Sequence, residues 1–368
     1  MTKKKTYILY IIPLSILFLQ LNCEKEPPVT PPQKEDSILT YERELTDGQE
    51  PAVSPDGKKI TYTNNGCIYV MDTSGANITQ LTTGPTDVLP RWHPNGQMIG
   101  FIRSNPSVYN RGVLYSVPAS GGSETQLIIN QYVGDSLIQV SRIWSNTAIP
   151  IWDWSTNGDH VAFYSISGLN TFLNINSTNN SSSVFSRWTY CEFNYSHGGR
   201  SFAWSSNVGK IAFIANDEYQ YGALYLFDLV THNLMVDTTY HYPHYLSRGS
   251  ITNKFIFGAL NSSVKPVIVE TDFSSIQGEF TTLNYCGLKW SPDEKYFLYE
   301  NRRIVGGAYG YKYSCLYIYS LEKNRDYQLT TKGDINQHNY FFEWGMSSQT
   351  VYFERFNKIC SVSFKIKS

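Results

Sequence analysis

Residues 50–82 read EPAVSPDGKKITYTNNGCIYVMDTSGANITQLT, and this order of turns and apolar runs spells a small antiparallel sheet. In Ser54-Pro55-Asp56-Gly57 the proline presets φ for the second position of a β-turn. The serine and aspartate can bond local backbone, and the glycine ends the turn without steric cost. Ile60 and Tyr62 then alternate with Lys59 and Thr61, while Ile68-Tyr69-Val70-Met71 is bounded by Gly66 and by Asp72-Thr73-Ser74-Gly75. Both are patterns of strands between tight turns. A last short strand at 79–82 completes a four-stranded unit.

A sheet this small, apolar on both faces, needs a neighbour on each side, so such units come in arrays. The pattern returns at Leu89-Pro90-Arg91-Trp92-His93-Pro94-Asn95-Gly96, at Trp154-Ser155-Thr156-Asn157-Gly158, at Trp204-Ser205-Ser206-Asn207-Val208-Gly209 and at Trp290-Ser291-Pro292-Asp293. A degenerate copy, the fifth in order, has Tyr245-Leu246-Ser247 in place of the Trp-Ser start, and the seventh begins at Phe342-Glu343-Trp344. That last copy lacks a fourth strand, whereas 40–46 precede the first copy with no partner there. The N-terminal strand is therefore expected to complete the last blade and remove the open sheet edges. The fold expected is all-β, a seven-bladed β-propeller of four-stranded antiparallel blades closed by the N-terminal strand. Residues 128–146 exceed the repeat and read as an insertion between blades two and three.

The Trp-Ser-Pro-Asp-Gly start, the Ile-Tyr-Val-Met-Asp strand and the Gln-Leu-Thr end resemble the repeats of TolB-like β-propellers, also found in the non-catalytic domains of the prolyl oligopeptidase family. The resemblance covers about nine-tenths of the chain, as a repeat fold should. It implies a protein-binding or ligand-binding platform at a cell envelope.

The N-terminus agrees with that location. Lys3, Lys4 and Lys5 precede an apolar stretch at 7–21, shorter than the roughly twenty residues a membrane-spanning helix needs. Leu19-Gln20-Leu21-Asn22-Cys23 resembles a bacterial lipobox, though Gln20 and Asn22 stand where leucine and a small residue are usual. Cleavage before Cys23 would leave that cysteine to be acylated, and two or three chains give stable anchoring where one does not. Residues 24–37, EKEPPVTPPQKEDS, form an extended, proline-rich spacer. The expected segments are thus a signal peptide at 1–22, a lipidated cysteine and linker at 23–37, and the propeller at 38–368, facing the periplasm or cell surface.

Charge excludes one class of partner. Without the three leader lysines, 27 basic side chains stand against 31 acidic ones, no footprint for nucleic acid. No Gly-x-Ser-x-Gly elbow occurs, and no cofactor motif or second domain accompanies the repeats, so the chain reads as non-catalytic and cofactor-free. Candidate site residues fall in connections that lead into blades: Glu50, Asp87, His197, His241, His244, Asp334 and His338. If those connections gather at one channel mouth, they could surround a metal. The His-x-x-His pair is weak evidence in a loop, and packed or solvated histidines are the plainer reading.

The tryptophans at 92, 154, 204, 290 and 344 recur at one repeat position and should face neighbouring blades as core. Trp144, Trp152 and Trp188 fall outside that position and are candidate exposed contacts for a glycan or peptide, with local packing as the alternative. Five cysteines remain beside Cys23, so at least one lacks an intrachain partner, and Cys67, Cys315 and Cys360 sit in equivalent strands as small apolar residues. Three functions follow in order: a lipid-anchored scaffold for envelope proteins, a glycan-binding or peptidoglycan-binding module, and a metal-dependent propeller enzyme such as a lyase.

Overall fold

The computed structural model describes residues 37–104, 111–127, 138–139, 152–167, 170–179, 183–189, 202–205, 209–216, 222–238, 243–259, 266–270, 275–276, 285–305, 311–331 and 339–367. Ile38–Lys367 form one compact unit. All regular elements among the described residues are strands, and no helix there is long and apolar enough to cross a membrane. Residues 7–21 and Cys23 lie outside the described residues.

Seven four-stranded antiparallel blades follow one another. Blade one is Gln49–Val53, Lys59–Asn64, Cys67–Asp72 and Thr79–Gln80. The last blade is built from Asn339–Trp344, Thr350–Arg355 and Lys358–Lys367, and Ser37–Asp47 adds the fourth strand beside Lys358–Lys367. Closure by the N-terminal strand, expected from the missing partner, is what the topology shows. The closing strand is held by charge as well as backbone: Arg355 pairs with Glu42, and Lys358 Nζ lies 2.9 Å from Asp47 and 3.7 Å from Glu44. Of the expected insertion at 128–146, Ile138–Gln139 is described. It pairs with Gly112 and Arg111 of blade two and, through Ile138, with Ser165 of blade three, joining the two blades into one sheet.

Local chemistry makes the turns. In blade one Ser54 Oγ donates to Asp56 Oδ1 at 2.6 Å and accepts from Lys59 N at 2.9 Å. The same pair of bonds recurs at Ser155 with Asn157 and His160, and at Ser291 with Asp293 and Tyr296. His93 replaces the serine in blade two, where its Nδ1 accepts from Asn95 N and its ring meets Trp154 edge-on. The second hairpin of blade one turns on Asn65 and Gly66, both left-handed at φ 49° and 72°, as a two-residue turn between twisted strands requires.

The core lies in the seams. Seven clusters of buried side chains fall one to each pair of neighbouring blades. The seam that shuts the ring packs Ile60, Tyr62 and Met71 of blade one against Tyr352 and Ile359 of blade seven. Each repeated tryptophan enters the seam with the preceding blade, as its recurrence suggested. Trp92 Nε1 donates to Ala52 O at 3.0 Å, Trp154 to Arg91 O at 3.4 Å and Trp344 to Lys289 O at 3.1 Å. Fully burying such a ring contributes more than the ~1.5–3 kcal/mol of an average apolar side chain once its donor is also satisfied.

Two outcomes test this account. Deleting 38–46 should lower the thermal midpoint far more than trimming the four residues 365–368, since the first leaves the ring open; equal shifts would argue against closure as a main source of stability. Gly66 and Gly96 share a φ of +72°, but a Cβ at Gly66 would stand 1.8 Å from Pro85 O whereas one at Gly96 meets nothing within 4 Å. Gly96→Ala should cost about 1–2 kcal/mol, the left-handed penalty, and Gly66→Ala clearly more. Denaturant midpoints would expose the difference, and equal costs would mean that the 83–86 connection yields freely.

Candidate functional site

The innermost strand of each blade ends at the Ser-Pro-Asp-Gly-type turn. Residues one place before the tryptophan position come to a single cavity of about 450 Å³, with one contribution from each blade: Ala52, Arg91, Asp153, Ala203, Ser247, Lys289 and Glu343. This is the channel, opening on the turn side. In blade five the strand pairing sets Arg248 opposite Phe255, as Trp92 stands opposite Ile99 and Trp290 opposite Phe297. Arg248 therefore occupies the tryptophan position, one residue beyond the Tyr-Leu-Ser expected there, and it too lines the cavity.

Five charges thus share a space that water reaches from one side. Lys289 Nζ pairs with Glu343. Asp153 Oδ1 accepts from Trp154 N at 2.9 Å. Burial pushes the Asp153 carboxyl above its ordinary range, against the pull of Arg91, Arg248 and the Trp154 N–H, while Glu343 adds to the rise. Burial also draws Arg248 below the usual guanidinium range, opposed by Asp153. Neither Arg91 nor Arg248 has a side-chain hydrogen bond or an ion pair within 4 Å among the described residues.

The candidates chosen from sequence lie elsewhere. Glu50 and Asp87 begin innermost strands, at the opposite end from the cavity; Glu50 is spent on the seams and Asp87 on an ion pair within blade two. Glu50 is 1% exposed; its Oε2 accepts from Thr63 Oγ1 and from Leu89 N of blade two, both at 2.7 Å, while its own N–H donates to Glu354 of blade seven at 3.0 Å. The cause is a bulge: Glu50, Leu89, Gly287 and Phe341, each three residues before the tryptophan position, are left-handed, and the strand register shifts there. A bulge leaves an unpaired N–H, and at Glu50 and Leu89 the preceding blade's carboxylate takes it. Asp87, wholly buried, is held bidentately by Arg103 at 2.7 and 2.8 Å, with Glu124 2.7 Å from the same guanidinium. These carboxylates hold the guanidinium proton firmly, raising its pKa.

No three of the described His, Cys, Asp and Glu side chains come together as a metal set. His197, His241, Asp334 and His338 lie outside the described residues; His244 belongs to Pro243–Arg248, with its side chain outside them. Trp152 is not an exposed contact. It is 1% exposed, its Nε1 donates to Leu89 O at 2.9 Å, and its ring fills the space over Gly100, where a Cβ would lie 2.4 Å from it. Trp188 sits opposite Phe172 in a strand pair, its side chain outside the described residues, as is all of Trp144. Cys67 and Cys360 are free thiols, and burial pushes Cys360 up to about 11.

The class this defines is a closed seven-bladed propeller with a charged channel mouth. No protein-family model and no curated relative matches the chain. Among solved structures, it is similar to an oligogalacturonate lyase in complex with manganese, at TM-score 0.62 and 9% identity over 90% of this chain and 96% of that one. It is also similar to TolB from Acinetobacter baumannii, at TM-score 0.46 and 13% identity over 77% of this chain and 64% of that one. These identities speak for the fold alone. They correct one expectation: the lack of a nucleophile elbow and of a hydrolase domain does not mark a non-enzyme, because an enzyme has this architecture over nearly its whole length.

Asp153 supplies a pH test. A raised folded-state pKa means that the folded chain binds more protons than the unfolded one between the ordinary 3.8 and the raised value, so its ionisation costs stability as pH climbs through that window. Asp153→Asn should therefore stabilise the protein at pH 7, with the gain fading as pH falls towards 3.8. Thermal midpoints across pH would show it; a variant less stable at pH 7 would mean that the arginines need the carboxylate more than burial resists it.

Proposed function

We propose that this chain is a lipid-anchored, extracytoplasmic propeller that holds an envelope partner at the turn-side mouth of its channel. Residues 1–22 serve as signal peptide, Cys23 carries the lipid, 24–37 are the spacer and 38–368 the propeller. The observation that supports the reading is the convergence of seven innermost strands on one cavity holding five charged side chains. Charges removed from bulk water oppose folding unless well paired, so packing alone would favour apolar residues there. An envelope protein is the first expected occupant, a glycan the next. A second reading, in which the same mouth turns its ligand over, draws on the fold shared with the lyase.

Two variants test the two halves. Metabolic labelling with a palmitate analogue should mark the wild type and send it to the detergent phase, while Cys23→Ala should lose both. Equal detergent partition of the two would sink the anchor. Ala203→Trp should plug the channel, because Ala203 lines it, and should abolish stoichiometric capture from solubilised native envelopes while the thermal midpoint holds. Undiminished capture by the plugged protein would place recognition elsewhere.

A further inference from the structure

We propose that the channel contains an anion site in which Arg91 and Arg248 together receive the single carboxylate of a small ligand. The proposal rests on the reading of the turn-side mouth as the ligand-binding end, and the repeat provides its internal control. Five of seven blades place tryptophan where Arg248 stands, buried in a seam. Arginine at a seam position breaks the local rule of the fold without a packing gain, the kind of departure that marks a functional site.

Its surroundings agree. Lys289 already has Glu343, whereas the two guanidiniums have no ion pair within 4 Å among the described residues and Asp153 interacts with both only through space. Three basic side chains, Arg91, Arg248 and Lys289, share the cavity with two carboxyl groups, Asp153 and Glu343, a formal surplus of one positive charge. One carboxylate neutralises it; a phosphate dianion would overshoot beside Asp153. Guanidinium forks suit the two oxygens of a carboxylate. The other ring positions Ala52, Ala203 and Ser247 are small, and about 450 Å³ lies within the ~300–1,000 Å³ of small-molecule sites.

The test uses the full-length protein and three probes at fixed ionic strength: benzoate, its uncharged analogue benzamide, and inorganic phosphate, by calorimetry and thermal shift. Benzoate should bind saturably below about 10 mM, with benzamide and phosphate about tenfold weaker or more. Arg91→Gln and Arg248→Gln should each weaken benzoate about tenfold or more, the loss expected when one charged hydrogen-bond partner goes. Arg248→Lys should recover part of it, and Asp153→Asn should tighten binding. Should one glutamine variant fail to fold, the other carries the test. Absence of saturable benzoate binding, equal binding of benzamide, tighter binding of phosphate, or indifference to both arginine variants would overturn the proposal. If benzoate fails while Ala203→Trp still abolishes envelope capture, the anion site falls and the channel-mouth reading stands; if both fail, both fall.

Discussion

Each blade is apolar on two faces and can hide neither alone, so every structural feature here answers to the seams between blades. Apolar burial makes each seam, and in three of them the tryptophan lying across its predecessor also donates its indole N–H to a carbonyl of the predecessor's innermost strand: Trp92 to Ala52, Trp154 to Arg91 and Trp344 to Lys289. Six of the seven seams join consecutive copies. The seventh brings Ile60 and Tyr62 against Tyr352 and Ile359, and loop-closure entropy opposes it because its partners are nearly the chain's length apart. Adding the Ser37–Asp47 strand to blade seven ties that seam covalently, since the same strand leads directly into blade one.

What was legible in the sequence follows from this. Turns and seam tryptophans repeat, and repetition is visible without coordinates; so were the blade count, the closing strand and the burial of five tryptophans. The channel ring was not, because its seven positions share no residue type: Ala52, Arg91, Asp153, Ala203, Ser247, Lys289 and Glu343. Variation at a fixed place beside a recurrent tryptophan was the available signal. Arg248 was readable too, once the pairing of its strand set it at the tryptophan position.

The errors have a common physical source. Glu50 and Asp87 are acidic residues at the starts of strands, where position in the sequence alone suggests a place at the channel mouth. Both are buried because donors meet them there: across the seam the bulge frees Leu89 N for Glu50, and within blade two the cross-strand Arg103 guanidinium holds Asp87. Trp152 misled in the opposite sense, being off the repeat position yet buried, because Gly100 in the preceding blade leaves a ring-sized space. A glycine in one blade and a tryptophan in another are linked by shape alone, and no period in the sequence joins them.

The two ends of the innermost strands therefore carry different tasks. At the start of each strand, side chains serve the seam, and their chemistry is fixed by the donors they must meet. At the turn end, the indole bonds take only the backbone: Trp92 and Trp154 bond to the carbonyls of Ala52 and Arg91, an alanine and an arginine that are equivalent to the fold, whereas Ser247 Oγ accepts from Trp290 N and Lys289 pairs with Glu343 across their seams. Any side chain at the positions of Ala52 and Arg91 leaves the indole bond intact, so such ring positions can change their charge from one propeller to another without altering the architecture. That is why similarity of fold at 9% identity transfers the blades and not the ligand, and why the arrangement of Arg91, Asp153 and Arg248 has to be read from this chain alone.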